Sequence, residues 1–168
     1  TVKTYPGDYF EALERVKQNE AGRKVLMFLG STIGNFVYDD AIRFLQKLNS
    51  SMNHKDQLVI GFDLKKDPAT ILRAYNDSSG ITARFNLNLL ERINRELGGE
   101  FITENFYHYP VYNPLSGQAQ SYLISRIAQS VYIRQLNSTF HFEMGEPIFM
   151  EVSQKYDKPM IEKKKKKT

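Results

Sequence analysis

The chain contains no cysteine. Disulfides and thiolate metal sites are therefore excluded, and the absence fits a reducing compartment. No apolar run approaches membrane-spanning length, and the sequence opens without a signal-peptide pattern. The cytoplasm is the expected location, and a membrane is not an expected partner. The glycines form neither a G-x-G nor a Walker loop, so no complete nucleotide motif is present. There is no internal repeat. His54, His108 and His141 lie far apart in sequence and read as surface or sheet residues, with no metal site expected. Clustered positive charge occurs in one place. Lys163–Lys167 carries more charge than the net +4 of the whole chain, which leaves the rest near neutral. Such a run can bind nucleic acid or acidic lipid, but more often it is a solvated, frayed end. No basic face with interleaved aromatics occurs elsewhere, so nucleic acid is not an expected partner.

With 168 residues, 41% of them hydrophobic and 12% aromatic, the chain can build one large domain or two small ones. Val25–Leu29 is a continuous apolar run and reads as a strand buried on both faces. Gly30-Ser31-Thr32-Ile33-Gly34-Asn35 breaks it. Asp39 or Asp40 can then cap a helix through Ala41–Leu48. Gln57–Leu64 is a second apolar strand, so the pair implies a right-handed parallel crossover. In open α/β sheets ligands bind at the carboxyl ends of strands, which directs attention to Gly30–Asn35. On spacing alone, a lone G-x-x-x-G is more often an ordinary βα turn. Upstream, Tyr5-Pro6-Gly7-Asp8 is turn chemistry, and Tyr9–Val16 carries the apolar spacing of a short helix. Asp8 can serve there simply as a helix cap, and Tyr9 as a core aromatic.

The character changes near Tyr75. Pro68 suits the first turn of a helix to about Tyr75. Phe85–Leu97 is a helix stopped by Gly98-Gly99. From Phe101 to Tyr156 short aromatic and branched runs alternate with turns: Phe106–Tyr112, Ser121–Ile127, Val131–Ile133, Thr139–Phe142 and Ile148–Val152. They predict an antiparallel sheet. The fold class is α/β, a partial parallel sheet followed by an α+β region. The expected boundaries are 1–73, 74–156 and a Lys-rich tail at 157–168.

Phe28-Leu-Gly-Ser-Thr-Ile-Gly-Asn-Phe36 resembles the signature of the histidine-specific, S-adenosylmethionine-dependent methyltransferases, which include the ergothioneine-pathway histidine Nα-methyltransferases. Further blocks follow in the family order: Ile60-Gly-Phe-Asp-Leu-Lys-Lys-Asp-Pro68, Ala74-Tyr-Asn-Asp77, Phe85-Asn-Leu-Asn-Leu-Leu90 and Gly145-Glu-Pro-Ile-Phe-Met-Glu-Val-Ser-Gln-Lys-Tyr156. The resemblance implies a class I methyltransferase Rossmann domain with a substrate-binding domain inserted late in it. It also implies that the glycine-rich cofactor loop lies before Thr1 and the last strands after Ile161, so that the chain is the middle of an enzyme. S-adenosylmethionine is the implied cofactor and an amino acid, histidine or a relative, the implied small-molecule partner.

The same resemblance implies roles for individual residues. Asp8 and Tyr9 fall where the family meets the adenine of the cofactor; a carboxylate can accept from the exocyclic amine. Gly30, Thr32 and Asn35 fall where it meets the amino-acid substrate. Asn35 is the implied catalytic residue, holding the α-amino group while leaving its lone pair free. Tyr75 matches a hydroxyl donor to the carboxylate and Phe85 a wall of the pocket. Glu151 and Ser153 match the pair that reads the imidazole, and their spacing puts both on one strand face. Ser121 stands where the family has a pocket methionine, which removes apolar bulk beside the substrate ring. Met150 stands where threonine is usual. Two other classes compete with the enzyme: a non-catalytic binding module on the same fold, and a nucleic-acid binder acting through the lysine run.

Overall fold

A computed structural model describes residues 1–165. They form two compact units. Unit 1 runs from Thr1 to Leu64 and resumes at Tyr156; unit 2 is Lys65–Lys155.

In unit 1, Asp8 caps α1 (Tyr9–Asn19), its Oδ1 accepting from the Phe10 amide at 2.8 Å. β1 (Val25–Phe28) and β2 (Gln57–Ile60) pair in parallel, with Val25 opposite Gln57 and Phe28 opposite Ile60. α2 (Tyr38–Ser50) connects them, which makes the expected crossover. Ala41, Leu45 and Leu48 recur at helical spacing and are buried, forming the core with Ile33 and Tyr156. The helix starts earlier than a cap at Asp39 or Asp40 requires. Val37 is the N-cap, and both carboxylates sit in the first turn, where they favour the helix dipole. The sheet is covered on one face. Leu26, Phe28, Leu58 and Ile60 pack into the core, whereas Val25, Met27, Leu29 and Val59 are exposed, Met27 at 64%. The strand read as buried on both faces is thus an alternating one in this unit.

In unit 2, Asp67 caps α3 (Pro68–Tyr75). α4 (Ile81–Leu97) begins at Ile81 rather than Phe85, because Asp77 accepts from the amides of Ile81 (2.7 Å) and Thr82 (2.9 Å) and starts the helix early. β3 (Phe106–Asn113) pairs antiparallel with β4 (Gln118–Ser125). β5 (Gln129–Ile133) and β6 (Ser138–Phe142) form a separate hairpin, and β7 (Pro147–Gln154) returns to the free edge of β4. The expected single antiparallel sheet is therefore two sheets. Leu90 of α4 packs with Phe101, Phe106, Leu123, Val131 and Ile133 in one core. α3 packs against β3 and β4, so it belongs to this unit, and the boundary falls at Leu64 instead of residue 73.

Back in unit 1, the Tyr156 amide donates to Asp63 O at 2.9 Å, and Tyr156 bridges Leu64 in parallel. α5 (Lys158–Lys165) follows, with Met160 and Ile161 against the core. Lys164 is 1% exposed; its Nζ donates to Tyr38 O at 3.2 Å and lies 4.0 Å from that ring's centroid. The segment read as a solvated tail is helical through Lys165, while Lys166 and Lys167 lie outside the described residues. Among the described residues no helix is long and apolar enough to cross a membrane.

Candidate active site

The turn after β1 gathers Gly30, Thr32 and Asn35 in unit 1. Gly30 has φ +74° and Ser31 φ +59°. Two successive left-handed residues turn the chain sharply at the carboxyl end of the strand, and glycine enters that region without a Cβ penalty. Thr32 Oγ1 donates to Leu29 O at 3.2 Å and starts a 3-10 turn through Asn35. Ile33 and Gly34 are buried beneath it, and Asn35 is left exposed. Beside α1 lies a cavity of about 390 Å³ lined by Gly7, Tyr9, Met27, Phe28, Phe44 and Leu58. Tyr9 meets Phe28 edge-on at 6.2 Å yet remains 60% exposed, so it is not the plain core aromatic that its helix position allowed.

Unit 2 carries a second polar cluster, and its origin is a β-bulge. β7 pairs Leu123 with Ile148 and Tyr122 with Phe149, but Ser121 with Glu151, so the register shifts by one residue between Ser121 and Tyr122. A bulge reverses the phase of alternation and is frequent beside active sites. Before the bulge the strand sends Ile148 and Met150 to the core. After it, Glu151 and Ser153 take that same face, opposite Ser121 and Ala119. α4 makes the same change along its length. Its buried stripe holds Leu90 and, one turn earlier, Asn86. Asn86 is 3% exposed and donates to Thr82 O (3.0 Å) and Glu151 Oε1 (3.4 Å).

Ser121 is fully buried, and its Oγ has no hydrogen-bond partner among the described residues. The same holds for Nε2 of His108, which lies on the same face as Ser121 and diagonal to it, since His108 pairs with Leu123 and Pro110 with Ser121. Burial pushes the His108 imidazole below the ordinary histidine range, and the carboxylates of Glu151 and Asp77 oppose that only in part. Two orphaned polar atoms beside a carboxylate form a place where a polar ligand group would be satisfied.

Tyr75 and Ser153 are joined by Lys155. This lysine is 5% exposed, and its Nζ donates to Tyr75 Oη at 2.7 Å and Ser153 Oγ at 2.9 Å. The β3–β4 turn holds it in place. Gly117 O accepts from the Lys155 amide at 2.7 Å, and Ser116 O accepts from Gln154 Nε2 at 2.7 Å. Gly117 has φ +76°, and a Cβ there would stand 2.5 Å from Lys155 O. Sequence reasoning missed Asn86, His108 and Lys155 as members of this cluster. The available signal was the alternation Glu151, Ser153, Lys155, which runs one step past the pair that was read. Phe85 points elsewhere: it is 69% exposed and lines a cleft of about 660 Å³ with Arg84, Asn88, Thr103 and Arg126.

The sequence matches the family of histidine-specific, SAM-dependent methyltransferases over residues 1–168. The chain belongs to that family. A histidine N-alpha-methyltransferase of Mycolicibacterium smegmatis is 37% identical over 150 residues, 89% of this chain and 46% of the relative. One from Mycobacterium tuberculosis is 39% identical over 150 residues with the same coverage. Ergothioneine biosynthesis protein 1 of Schizosaccharomyces pombe is 30% identical over 146 residues, 86% of this chain and 19% of the relative. The chain thus spans about half the length of the two mycobacterial histidine-specific methyltransferases it matches.

Proposed function

We propose that the whole protein is an S-adenosylmethionine-dependent N-methyltransferase acting on the α-amino group of histidine or a related amino acid, in the cytoplasm. In this reading unit 1 is part of a class I methyltransferase Rossmann sheet and unit 2 the substrate-binding domain. The observation that carries the substrate reading is the clustering of Tyr75, Ser121, Glu151 and Ser153 on one face of the unit 2 sheet, with buried polar atoms still to be satisfied.

The residues present fit the adenine end of the cofactor. The cavity beside α1 is apolar and edged by the exposed ring of Tyr9, and the Asp8 carboxylate precedes that ring directly. A planar base needs such walls, and its exocyclic amine needs an acceptor. When bound, the cofactor supplies an activated methyl group on a sulfonium. The chain's task is to present an uncharged amine and exclude water. Gly30, Thr32 and Asn35 hold the amino acid's amine at the carboxyl end of β1. The Asn35 carboxamide oxygen accepts an amine hydrogen, which directs the nitrogen lone pair away from it. Tyr75 donates to the carboxylate. Glu151 accepts from a ring N–H, and Ser153 donates to the other ring nitrogen. Phe85 lines a different cleft, with Arg84 and Arg126, and takes no part in this pocket.

The test is methyl transfer by the whole protein to a panel of amino acids, with the product mapped by mass spectrometry. Methyl on the α-nitrogen of histidine is expected. Glu151→Ala should then raise KM for histidine about tenfold to a hundredfold, because an unpaired buried donor costs about 1–3 kcal/mol. Cofactor affinity should not move. Good turnover of histidine that is indifferent to loss of Glu151 would refute the role assigned to it.

A further inference from the structure

Lys155 has no role in the reading above, yet it touches two of the side chains that reading uses. Its ammonium has only donors to offer. Tyr75 Oη, at 2.7 Å, and Ser153 Oγ, at 2.9 Å, must therefore both act as acceptors toward it. A hydroxyl that accepts from a fixed cation keeps its own O–H for another partner. The charge also polarises that O–H and makes it the better donor. Lys155 lies 5.1 Å from the centre of the Tyr75 ring, so it fixes both the ring and its hydroxyl. The site itself is built: the lysine is buried, and its backbone is clamped by Gly117 from the β3–β4 turn.

We propose that Lys155 is a positioning residue that sets the hydrogen-bond direction of Tyr75 and Ser153, turning both into donors toward the bound amino acid. Tyr75 then presents its O–H to the substrate carboxylate, and Ser153 presents its own to the bare ring nitrogen. Glu151, on the same strand face, can only accept while ionised. Ser153 as donor and Glu151 as acceptor together select the neutral imidazole, which has one bare nitrogen and one N–H. The inference rests on the substrate reading given above.

The experiment compares histidine with histamine, which lacks the carboxylate, by calorimetry on the whole protein. Lys155→Met should weaken histidine binding about tenfold or more, through both Tyr75 and Ser153, and histamine binding by a smaller factor, through Ser153 alone, so the preference for histidine narrows. Tyr75→Phe leaves the buried charge in place and should narrow the preference in the same way. Lys155→Met added to Tyr75→Phe should narrow it little further, since the two act through one hydrogen bond. A merely structural lysine would lower the melting temperature and weaken both ligands equally, and that result overturns the inference. So does an unchanged preference in Tyr75→Phe, which remains measurable if Lys155→Met fails to fold. A wild-type protein that neither binds nor methylates histidine overturns the functional reading and the inference together. A wild type that does both, matched by Lys155→Met, overturns the inference alone.

Discussion

Asn86 Nδ2 stands 3.4 Å from Glu151 Oε1, joining α4 to β7 across 65 residues of sequence. The contact occurs where both elements change from apolar to polar burial, and it holds the carboxylate on the side facing His108 and Ser121. Asn86→Leu keeps the volume of the side chain and removes the donor. Removing only the donor leaves the Glu151 carboxylate beside an apolar group and short of a partner, which costs the fold about 1–3 kcal/mol and frees the carboxylate from its restraint. The expected result is a lowered melting temperature together with KM for histidine raised about threefold to tenfold. Steady-state kinetics beside a thermal melt checks it; a variant that unfolds readily but binds normally would show that Asn86 serves packing alone.

His108 gives the fold a dependence on acid. Its folded-state pKa lies below the unfolded value, so the unfolded chain binds the extra proton first. Stability should be flat above about pH 7 and decline as pH falls through about 6.5, the ordinary histidine value, toward the lower folded value. Asp77 acts in the same direction at a more acid pH. Its carboxylate is held well below the usual range, by hydrogen bonds from Thr82 first, then Ser79 and Ile81. Melts of wild type and His108→Gln across this range test the assignment. Parallel curves between about pH 5 and 7 would remove His108 from the account.

Gly117→Ala should be severe for a surface turn. The new Cβ would meet Lys155 O and Lys65 Cε, each at 2.5 Å, with the backbone at φ +76°. Left-handed strain and overpacking together predict a loss of about 2–4 kcal/mol. Because the same turn clamps Lys155, substrate binding should weaken along with the fold. Denaturant titration and calorimetry read the two effects separately, and a variant as stable as wild type would show that the turn yields freely.

Tyr156 tests the core of unit 1. It is 1% exposed, its ring packs edge-on against Phe62 at 4.9 Å, and its hydroxyl donates to Ile33 O at 3.3 Å. Burial pushes the phenol up to about 12, so it stays protonated and available as a donor. Tyr156→Phe should cost about 1 kcal/mol, the worth of one buried hydrogen bond, and Tyr156→Ala about 3–5 kcal/mol through the cavity it leaves. Equal losses in both variants would mean that the ring contributes nothing beyond its hydroxyl.

Much of the fold could be read from local pattern. The apolar runs around Leu26 and Leu58, the spacing of Ala41, Leu45 and Leu48, and the turn residues before β4 and β7 act within a few residues of themselves. The exceptions were settled by contacts that such patterns do not record. α4 begins at Ile81 because Asp77 caps it from four residues upstream. α3 joins unit 2 because its partners, β3 and β4, come later in the chain. Of the clustered polar side chains, Tyr75, Glu151 and Ser153 are singled out by the resemblance and Lys155 is not, since a lysine near the end of a strand ordinarily reads as solvated. The phase change that brings Glu151 and Ser153 onto the face shared with Leu123 is a register shift, and alternation read from β7 alone cannot reveal it.

Leu64, the last residue before unit 2, and Tyr156, the first after it, are bridge partners. The chain therefore leaves unit 1 and re-enters it at neighbouring points of that unit. A segment attached in that way can be exchanged without re-threading the body that carries it. Under the function proposed above, amino-acid selectivity would then be portable: another segment spliced at Leu64 and Tyr156 would bring its own pocket while leaving the hydrogen bonds of unit 1 in place.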